Sequence, residues 1–314
     1  MHKNQFTTQK TSNTIRFGNK TYRTMGGVYR DLWSSLRNES EEDLKRKLIA
    51  FNNINATWNA VNVYDDASLN LYIFRMCYAY TALYREMFRK CADTLLHEGN
   101  KVRLHVLSIG CGCKSDALAL KYVLDEPKYR NISAAYTGID VVDWSGKQFY
   151  YNDKDSFTRI EAPYIQNEVR FIQNDLGKHE GNADVYAVVF PNMISELKAH
   201  DLELLLDALR KHYRGKKCYI LTSRNPERPA SDRIDDAQSE TIRQKVYAHH
   251  GSLINGCVYS GNAEPKGYIW ADRNYNGITG NVLTYCEKYE QQFPGLRKMV
   301  QTKRYIQYEV YKAG

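Results

Sequence analysis

The chain has 314 residues, about twice the length of a typical domain, so we expect one large domain or two small ones. With 43% hydrophobic and 25% charged residues the chain can bury a real core, and the lack of an apolar run near 18 residues argues against a membrane span. The polar first 20 residues contain no apolar signal segment, which predicts a cytoplasmic protein. The net charge of +8 permits an anionic partner without proving one.

The seven cysteines predict reduced thiols rather than a disulfide framework, because their number is odd and they are scattered along the sequence. The closest pair, Cys111 and Cys113, lies inside a glycine-containing loop and has no second pair of ligands at zinc-binding spacing. We therefore expect no metal site.

The first third of the chain predicts an arm followed by helices. Residues 1–38 form a basic, polar segment, whose first 20 residues hold no acid and four cations, namely Lys3, Lys10, Arg16 and Lys20. A loosely draped arm and an arm that contacts an anion both fit this composition. Residues 39–99 predict a helical region, with Ser40 or Asn38 as a helix N-cap. Between 66 and 97 the apolar residues recur every 3.6 positions, which predicts one or two long amphipathic helices.

Residues 100–314 predict an α/β domain of the Rossmann-like class with a seven-stranded, mostly parallel sheet. Short apolar runs alternate with helical stretches, as parallel sheets require. We expect strands at 104–109, 134–139, 169–175, 185–190 and 218–222, and helices at 116–124 and 200–213. The alternating tail, 301–312, suits an antiparallel edge strand. Residues 224–296 are rich in Gly, Asn and charge and predict an insertion that forms a lid.

The most informative segment is a predicted buried strand that ends in Gly110-Cys111-Gly112 and leads into a helix. Gly110 permits a tight turn, and Gly112 lets the backbone approach a ligand because it has no Cβ. The helix that follows offers free N–H groups. A tight turn without a ligand is the alternative. The third glycine of the dinucleotide-binding fingerprint is replaced by Ser115, which argues against a dinucleotide.

Acidic residues follow this loop at the expected strand ends. Asp140 ends the second predicted strand, where a carboxylate can accept two hydrogen bonds from a ribose diol. Asp175 ends the third predicted strand and is placed to contact an adenine amino group, and Asp184 opens the fourth. Open α/β sheets bind ligands at the carboxyl ends of their strands. The alternatives are a helix N-cap for Asp140 and a turn for Asp175.

In this order, Gly110, Gly112, Asp140 and Asp175 make residues 100–225 resemble the class I S-adenosylmethionine-dependent methyltransferases. The stretches LSIGCGCKSD and FPNMISEL are similar to a group of methyltransferase-like proteins. The resemblance implies S-adenosylmethionine as the cofactor, at a site formed by Ser108, Gly110, Cys111, Gly112, Asp140, Asp175 and Phe190. It also implies that the methyl acceptor meets Asn192, Ser195 and Glu196, although Glu196 also suits a helix start. Two residues depart from the family pattern: Ser108, where many relatives have an acid, and Lys114 within the loop.

The acceptor is not assigned: the sequence slightly favours a nucleic acid over a protein or a small molecule, and all three stay open. Residues 225–275 interleave basic and aromatic side chains, among them Tyr268, Trp270 and Tyr275. None of the seven prolines precedes a cysteine, which argues against methylation of a pyrimidine carbon. Two alternatives stay open: a methyltransferase-like protein that binds a partner without catalysis, and a nicotinamide-dependent α/β oxidoreductase.

Overall fold

The N-terminal part of the chain folds into a small hairpin followed by helices. The structure is a computed structural model and describes residues 14–23, 25–36, 39–40, 42–43, 46, 66–73, 77–97, 100–144, 146–152, 155–160, 164–191, 197, 199–224, 254–263 and 306–313. Its first elements are β1 (Ile15–Phe17), β2 (Lys20–Tyr22), α1 (Met25–Leu36), α2 (Asp66–Tyr72) and α3 (Tyr78–Leu95). The hydroxyl of Ser40 accepts the N–H of Asp43 at 3.1 Å, so the predicted capping by Ser40 is confirmed.

The remaining described chain alternates strands with helices. The elements are β3 (Val102–Ile109), α4 (Ser115–Leu124), β4 (Ile132–Asp140), β5 (Phe149–Tyr150), β6 (Ser156–Arg159), α5 (Tyr164–Asn174), α6 (Gly177–Glu180), β7 (Val185–Phe190), α7 (Ala199–His212), β8 (Cys218–Arg224), β9 (Ile254–Ala263) and β10 (Ile306–Ala313). The predicted helices that overlap α4 and α7 and the predicted strands that overlap β3, β4, β7 and β8 are thus confirmed.

These strands form one large sheet, in the order β6-β4-β3-β7-β8-β10-β9. The five strands from β6 to β8 pair in parallel, while β10 pairs antiparallel with both β8 and β9. The predicted α/β class with a parallel sheet is therefore confirmed. A second sheet, ordered β2-β1-β5, fastens the N-terminal hairpin to the segment that follows β4.

Both faces of the parallel sheet are covered, which explains why β3 is buried along nearly its whole length. One face packs against α3 and α4 through a cluster that includes Met87, Phe88 and Leu120. The other face packs against α5 and α7, whose buried side chains follow helical spacing, for example Leu202, Leu205 and Leu209. Because helices cover both faces of the sheet, a ligand can approach it at the ends of the strands.

The predicted strand at 169–175 is wrong, because these residues belong to α5 and to the turn after it. The short β-branched run Val169-Arg170-Phe171-Ile172 suggested a strand. The wider spacing of the buried residues Ile165, Phe171 and Ile172, however, is that of a helix packed on the sheet. The third parallel strand is instead β6, whose four residues include Arg159 and show no apolar run.

Three further expectations need correction. The hairpin and α1 replace a loosely draped arm in residues 14–36, where Ile15 and Phe17 are buried. Strand β10 lies inside the sheet and not at its edge, because β9 pairs with its outer side. Strand β9 comes from the middle of the predicted lid, so residues 254–263 extend the sheet. The rest of the predicted lid after Arg224 lies outside the described residues.

Among the helices that the structure describes, none combines the length and the hydrophobicity that crossing a bilayer requires.

A buried histidine on β3 gives the fold a predicted dependence on pH. His105 is fully buried, its Nε2 lies 3.0 Å from the hydroxyl of Thr137, and burial lowers its pKa from 6.5 to about 4. The unfolded chain therefore binds this proton more readily, and stability is lost as the pH falls from 6.5 towards 4. The expected loss is about 2–3 kcal/mol. Buried carboxyl groups with raised pKa values, such as Asp116 and Glu168, act in the opposite direction, so the test compares the wild type with His105→Phe. Between pH 7 and pH 5, urea unfolding should show the wild type losing about 2 kcal/mol of stability relative to the variant. Equal pH dependence in both proteins would contradict it.

Candidate functional site

The carboxyl ends of β3, β4 and β7 meet at the point where the strand order reverses. From β3 the chain goes to β4 and β6 on one side, and it then returns to β7 on the other side of β3. Open α/β sheets form their ligand crevice outside the strand ends at such a reversal. The predicted residues Ser108, Gly112, Asp140 and Phe190 all belong to these strand ends or to the loop that follows β3.

The loop between β3 and α4 makes two tight turns, which only its glycines adopt without strain. Gly110 and Gly112 have φ values of +69° and +54°. The N–H groups of Gly110 and Cys111 both donate to the carbonyl of Ile139 on β4, at 2.9 and 3.1 Å. A Cβ at Gly112 would lie 3.4 Å from the ring of Trp144. The loop is thus bound to β4 by its backbone, and its left-handed backbone at Gly112 disfavours a branched residue there.

Asp140 joins the loop to the end of β4. Its Oδ2 accepts the N–H of Gly112 at 2.7 Å, and its Oδ1 accepts the N–H of Val142 at 2.8 Å. Burial raises the pKa of Asp140, while the bonds from Val142 and Gly112 oppose that rise. Each carboxylate oxygen has a second lone pair, and the side chain of Trp144 and the N–H of Val141 also act on Asp140, so a ligand hydroxyl would share the carboxylate with them. Asp140 is not a helix N-cap, since the residues after it form no helix.

Three residues that the sequence analysis missed support the loop. Gly138 on β4 packs against Cys111, and a Cβ there would come within 2.7 Å of the Cys111 sulfur. The amide of Gln148 donates to the carbonyl of Gly112 at 3.3 Å, and the N–H of Phe149 donates to the carbonyl of Cys113 at 2.9 Å. The glycine inside a strand was the available signal for Gly138, because such glycines mark a close approach of backbone.

A buried acid lies beneath the loop at the start of α4. The hydroxyl of Tyr136 donates to both oxygens of Asp116, at 2.9 and 3.0 Å. Burial raises the pKa of Asp116 to about 6, and the nearby hydroxyls of Ser108 and Tyr136 oppose that rise. Ser108 therefore stands beside a carboxyl group, although it is itself a departure from the family pattern. The contact ties the end of β3 to the helix that follows the loop.

Lys114, the second residue that departs from the methyltransferase pattern described above, is enclosed by aromatic rings. Its backbone is left-handed, with φ of +59°, and its side chain is fully buried. The ammonium lies 4.5 Å from the ring centre of Tyr150 and 5.7 Å from those of Tyr136 and Phe157, within the range of cation–π attraction. Burial lowers the pKa of Lys114. In this conformation the loop lysine stabilises the packing of the loop and presents no charge to a ligand.

The structure does not bring all of the predicted site residues together. Phe190 ends β7, but its side chain is buried in the hydrophobic cluster beneath α5 and α7. Asp175 follows a helix instead of a strand, is half exposed and forms an ion pair with Lys178, so the strand-end argument for it no longer holds. Asn192, Ser195 and Glu196 lie outside the described residues, and their roles stay predictions.

Glu168 is an acid that sequence reasoning missed. It lies on α5 and is buried, and none of the described residues forms a hydrogen bond with its Oε2. Burial raises the pKa of Glu168 to about 8, and the charges of Asp140 and Asp201 raise it further. The sequence analysis missed Glu168 because it predicted a strand, and not a helix, at 169–175. The alternating pattern of a strand gives no reason to place Glu168 near the crevice.

Among known proteins, the chain has matches to solved structures. No family model matches the sequence, and no curated protein matches it. The chain is similar to the solved structure of the plantazolicin methyltransferase BpumL in complex with SAH, with 12% identity, a TM-score of 0.38, and coverage of 90% of this chain and 98% of that one. It is also similar to an antibiotic related methyltransferase, with 11% identity, a TM-score of 0.31, and coverage of 70% and 94%. A cyclopropane-fatty-acyl-phospholipid synthase-like protein from Lactobacillus casei has 12% identity, a TM-score of 0.29, and coverage of 72% and 90%.

Proposed function

We propose that this chain is an S-adenosylmethionine-dependent methyltransferase. The observation that carries the proposal is the contact between the Gly112 N–H and the Asp140 carboxylate at the reversal of strand order. The contact places a glycine loop, which a nucleoside can approach closely, beside a carboxylate that can accept hydrogen bonds from it. Ser115, which occupies the place of the third dinucleotide glycine, starts α4 and disfavours the nicotinamide alternative.

The residues of the crevice fit a nucleoside with a charged, sulfur-bearing tail. Asp140 accepts the two ribose hydroxyls, while Gly110 and Gly112 let the tail approach the loop without meeting a Cβ. The sulfonium of the cofactor supplies a methyl carbon that is already activated. The protein therefore has to position the acceptor in line and exclude water, and it needs a base only for a poor nucleophile.

Calorimetry with three ligands tests this function. S-adenosylmethionine and its product S-adenosylhomocysteine (SAH) should bind, and NAD should not. Binding of NAD with no binding of either sulfur nucleotide would overturn the proposal in favour of an oxidoreductase. If SAH binds, incubation of cell RNA, protein and metabolites with labelled methyl donor separates an active enzyme from a protein that only binds the cofactor.

The acceptor prediction depends on residues that are mostly outside the described chain. Only 254–263 of the interleaved basic and aromatic segment are described, and they form β9. Nucleic acid therefore stays a prediction, as do the roles of Asn192, Ser195 and Glu196 towards the acceptor.

We expect the adenine contact first assigned to Asp175 to belong to Glu161. Glu161 is the first acid in the sequence after β6, and the preceding N–H, of Ile160, donates to the carbonyl of Asp140 at 2.8 Å. Glu161→Ala should weaken SAH binding by about 1.5–3 kcal/mol, the contribution of one hydrogen bond to a charged group. Asp175→Ala is the matched control and should change the affinity by less than twofold. Calorimetry on both variants checks this, and a larger loss in Asp175→Ala would restore the original assignment.

A further inference from the structure

Glu168 is a buried carboxyl group that lacks a partner within the described structure. It is 1% exposed, and no described residue hydrogen-bonds its Oε2. An unsatisfied buried polar group costs about 1–3 kcal/mol of stability, so folded proteins seldom keep one without a use. A carboxyl group that forms its hydrogen bond only when a ligand is bound would account for this cost in the ligand-free protein.

The helix face that carries Glu168 is turned towards the crevice end of the sheet. Ile165 and Ile172 lie three residues before and four residues after it, and therefore share its face of α5. Both isoleucines pack in the cluster that contains Ile109, Ile139 and Phe190, the last or next-to-last residues of β3, β4 and β7. Glu168 thus lies on the side of α5 that packs against the sheet, and it is near enough to Asp140, at the end of β4, for the two charges to repel each other.

The surroundings of Glu168 make it a hydrogen-bond donor at neutral pH. Burial raises the pKa of Glu168 to about 8, and Asp140 on β4 and Asp201 on α7 add repulsion. These two are the described charged groups that act on it, and neither is a cation that could hold it ionised. No group of three or more metal-ligating side chains occurs among the described residues, so a cation shared by these acids does not account for the cluster.

We propose that Glu168 binds the cofactor directly, by donating a hydrogen bond from its protonated carboxyl group to a ring nitrogen of the nucleoside base. This inference rests on the proposed function, because it takes the ribose of the same nucleoside to be held by Asp140. Purine ring nitrogens such as those of adenine accept hydrogen bonds, so a neutral carboxyl group suits them and a carboxylate repels them.

The test measures SAH affinity by calorimetry at pH 7, 8 and 9 for the wild type, Glu168→Gln and Glu168→Leu. The wild type should lose about tenfold in affinity between pH 7 and 9, as Glu168 ionises. Glu168→Gln keeps a donor at every pH, so it should bind like the wild type at pH 7 and show a smaller loss at pH 9. Titration of SAH itself acts equally on both proteins and cancels in their ratio. Glu168→Leu should bind about 5- to 30-fold more weakly at pH 7.

Thermal unfolding of the ligand-free proteins distinguishes a binding role of Glu168 from a structural role. Glu168→Leu removes an unsatisfied carboxyl group, so its melting temperature should equal or exceed that of the wild type while its SAH affinity falls. Equal SAH affinities for all three proteins, with the same pH profile, would overturn the role of Glu168 and leave the cofactor proposal intact. Absence of SAH binding to the wild type would instead contradict the proposed function.

Discussion

Replacing Asp140 with alanine is expected to weaken SAH binding by roughly 2–4 kcal/mol, the value of a desolvated, charge-assisted pair of hydrogen bonds. The structure adds a second reason for a large effect. Asp140 also holds the N–H groups of Gly112 and Val142, so its loss frees the glycine loop from β4. Calorimetry with SAH measures the change, and an affinity within threefold of the wild type would contradict a site at Asp140.

Deoxy analogues of SAH separate the two roles of Asp140. If Asp140 binds the ribose, removing the 2′- or 3′-hydroxyl costs affinity in the wild type and much less in Asp140→Ala, because the partner is already absent. If Asp140 acts only by holding the loop, the analogues lose the same affinity in both proteins. Asp184→Ala is the control acid: Asp184 pairs with Arg103 at the opposite, amino-terminal end of the strands, so its loss should leave SAH binding unchanged.

The sequence predicted the loop and Asp140 because both signals are local. Glycines between a buried strand and a helix require a turn, and the acid follows its strand directly. The acids proposed to contact the base, Glu161 and Glu168, could not be found this way. Strand β6 is four residues long, without an apolar run, and pairs only with β4, so its sequence resembles a loop.

The misassigned third strand shows which information was lacking. A run of β-branched and aromatic residues such as 169–172 fits either a strand or one buried side of a helix. The choice depends on long-range packing: Phe171 and Ile172 are buried against α7, which is distant in sequence. The same ambiguity misplaced Asp175 and concealed Glu168. The pairing of β1 with β5 also joins residues that are far apart in the sequence. The sequence analysis therefore interpreted the N-terminal segment as an arm.

Replacing Gly112 with valine is expected to abolish SAH binding while far-UV circular dichroism stays close to that of the wild type. The backbone of Gly112 has φ of +54°, which a β-branched residue adopts only with strain. The new Cβ would lie in van der Waals contact with Trp144, at 3.4 Å, and the two added methyl groups would enlarge the loop beside Asp140, whose carboxylate accepts the Gly112 N–H. Calorimetry measures binding, and normal SAH affinity would show that this loop does not hold the cofactor.

Gly215→Val separates backbone strain from obstruction of the ligand. Gly215 has a similar left-handed backbone, with φ of +72°, but a Cβ there would meet nothing within 4 Å. It lies just before β8, at the amino-terminal end of the sheet and away from the crevice. Both valine variants should lose stability by a similar amount, because the strain is alike, while only Gly112→Val should lose SAH binding. If Gly215→Val weakens SAH binding to the same extent, general destabilisation explains both results, and the loop at Gly112 has no special role in binding.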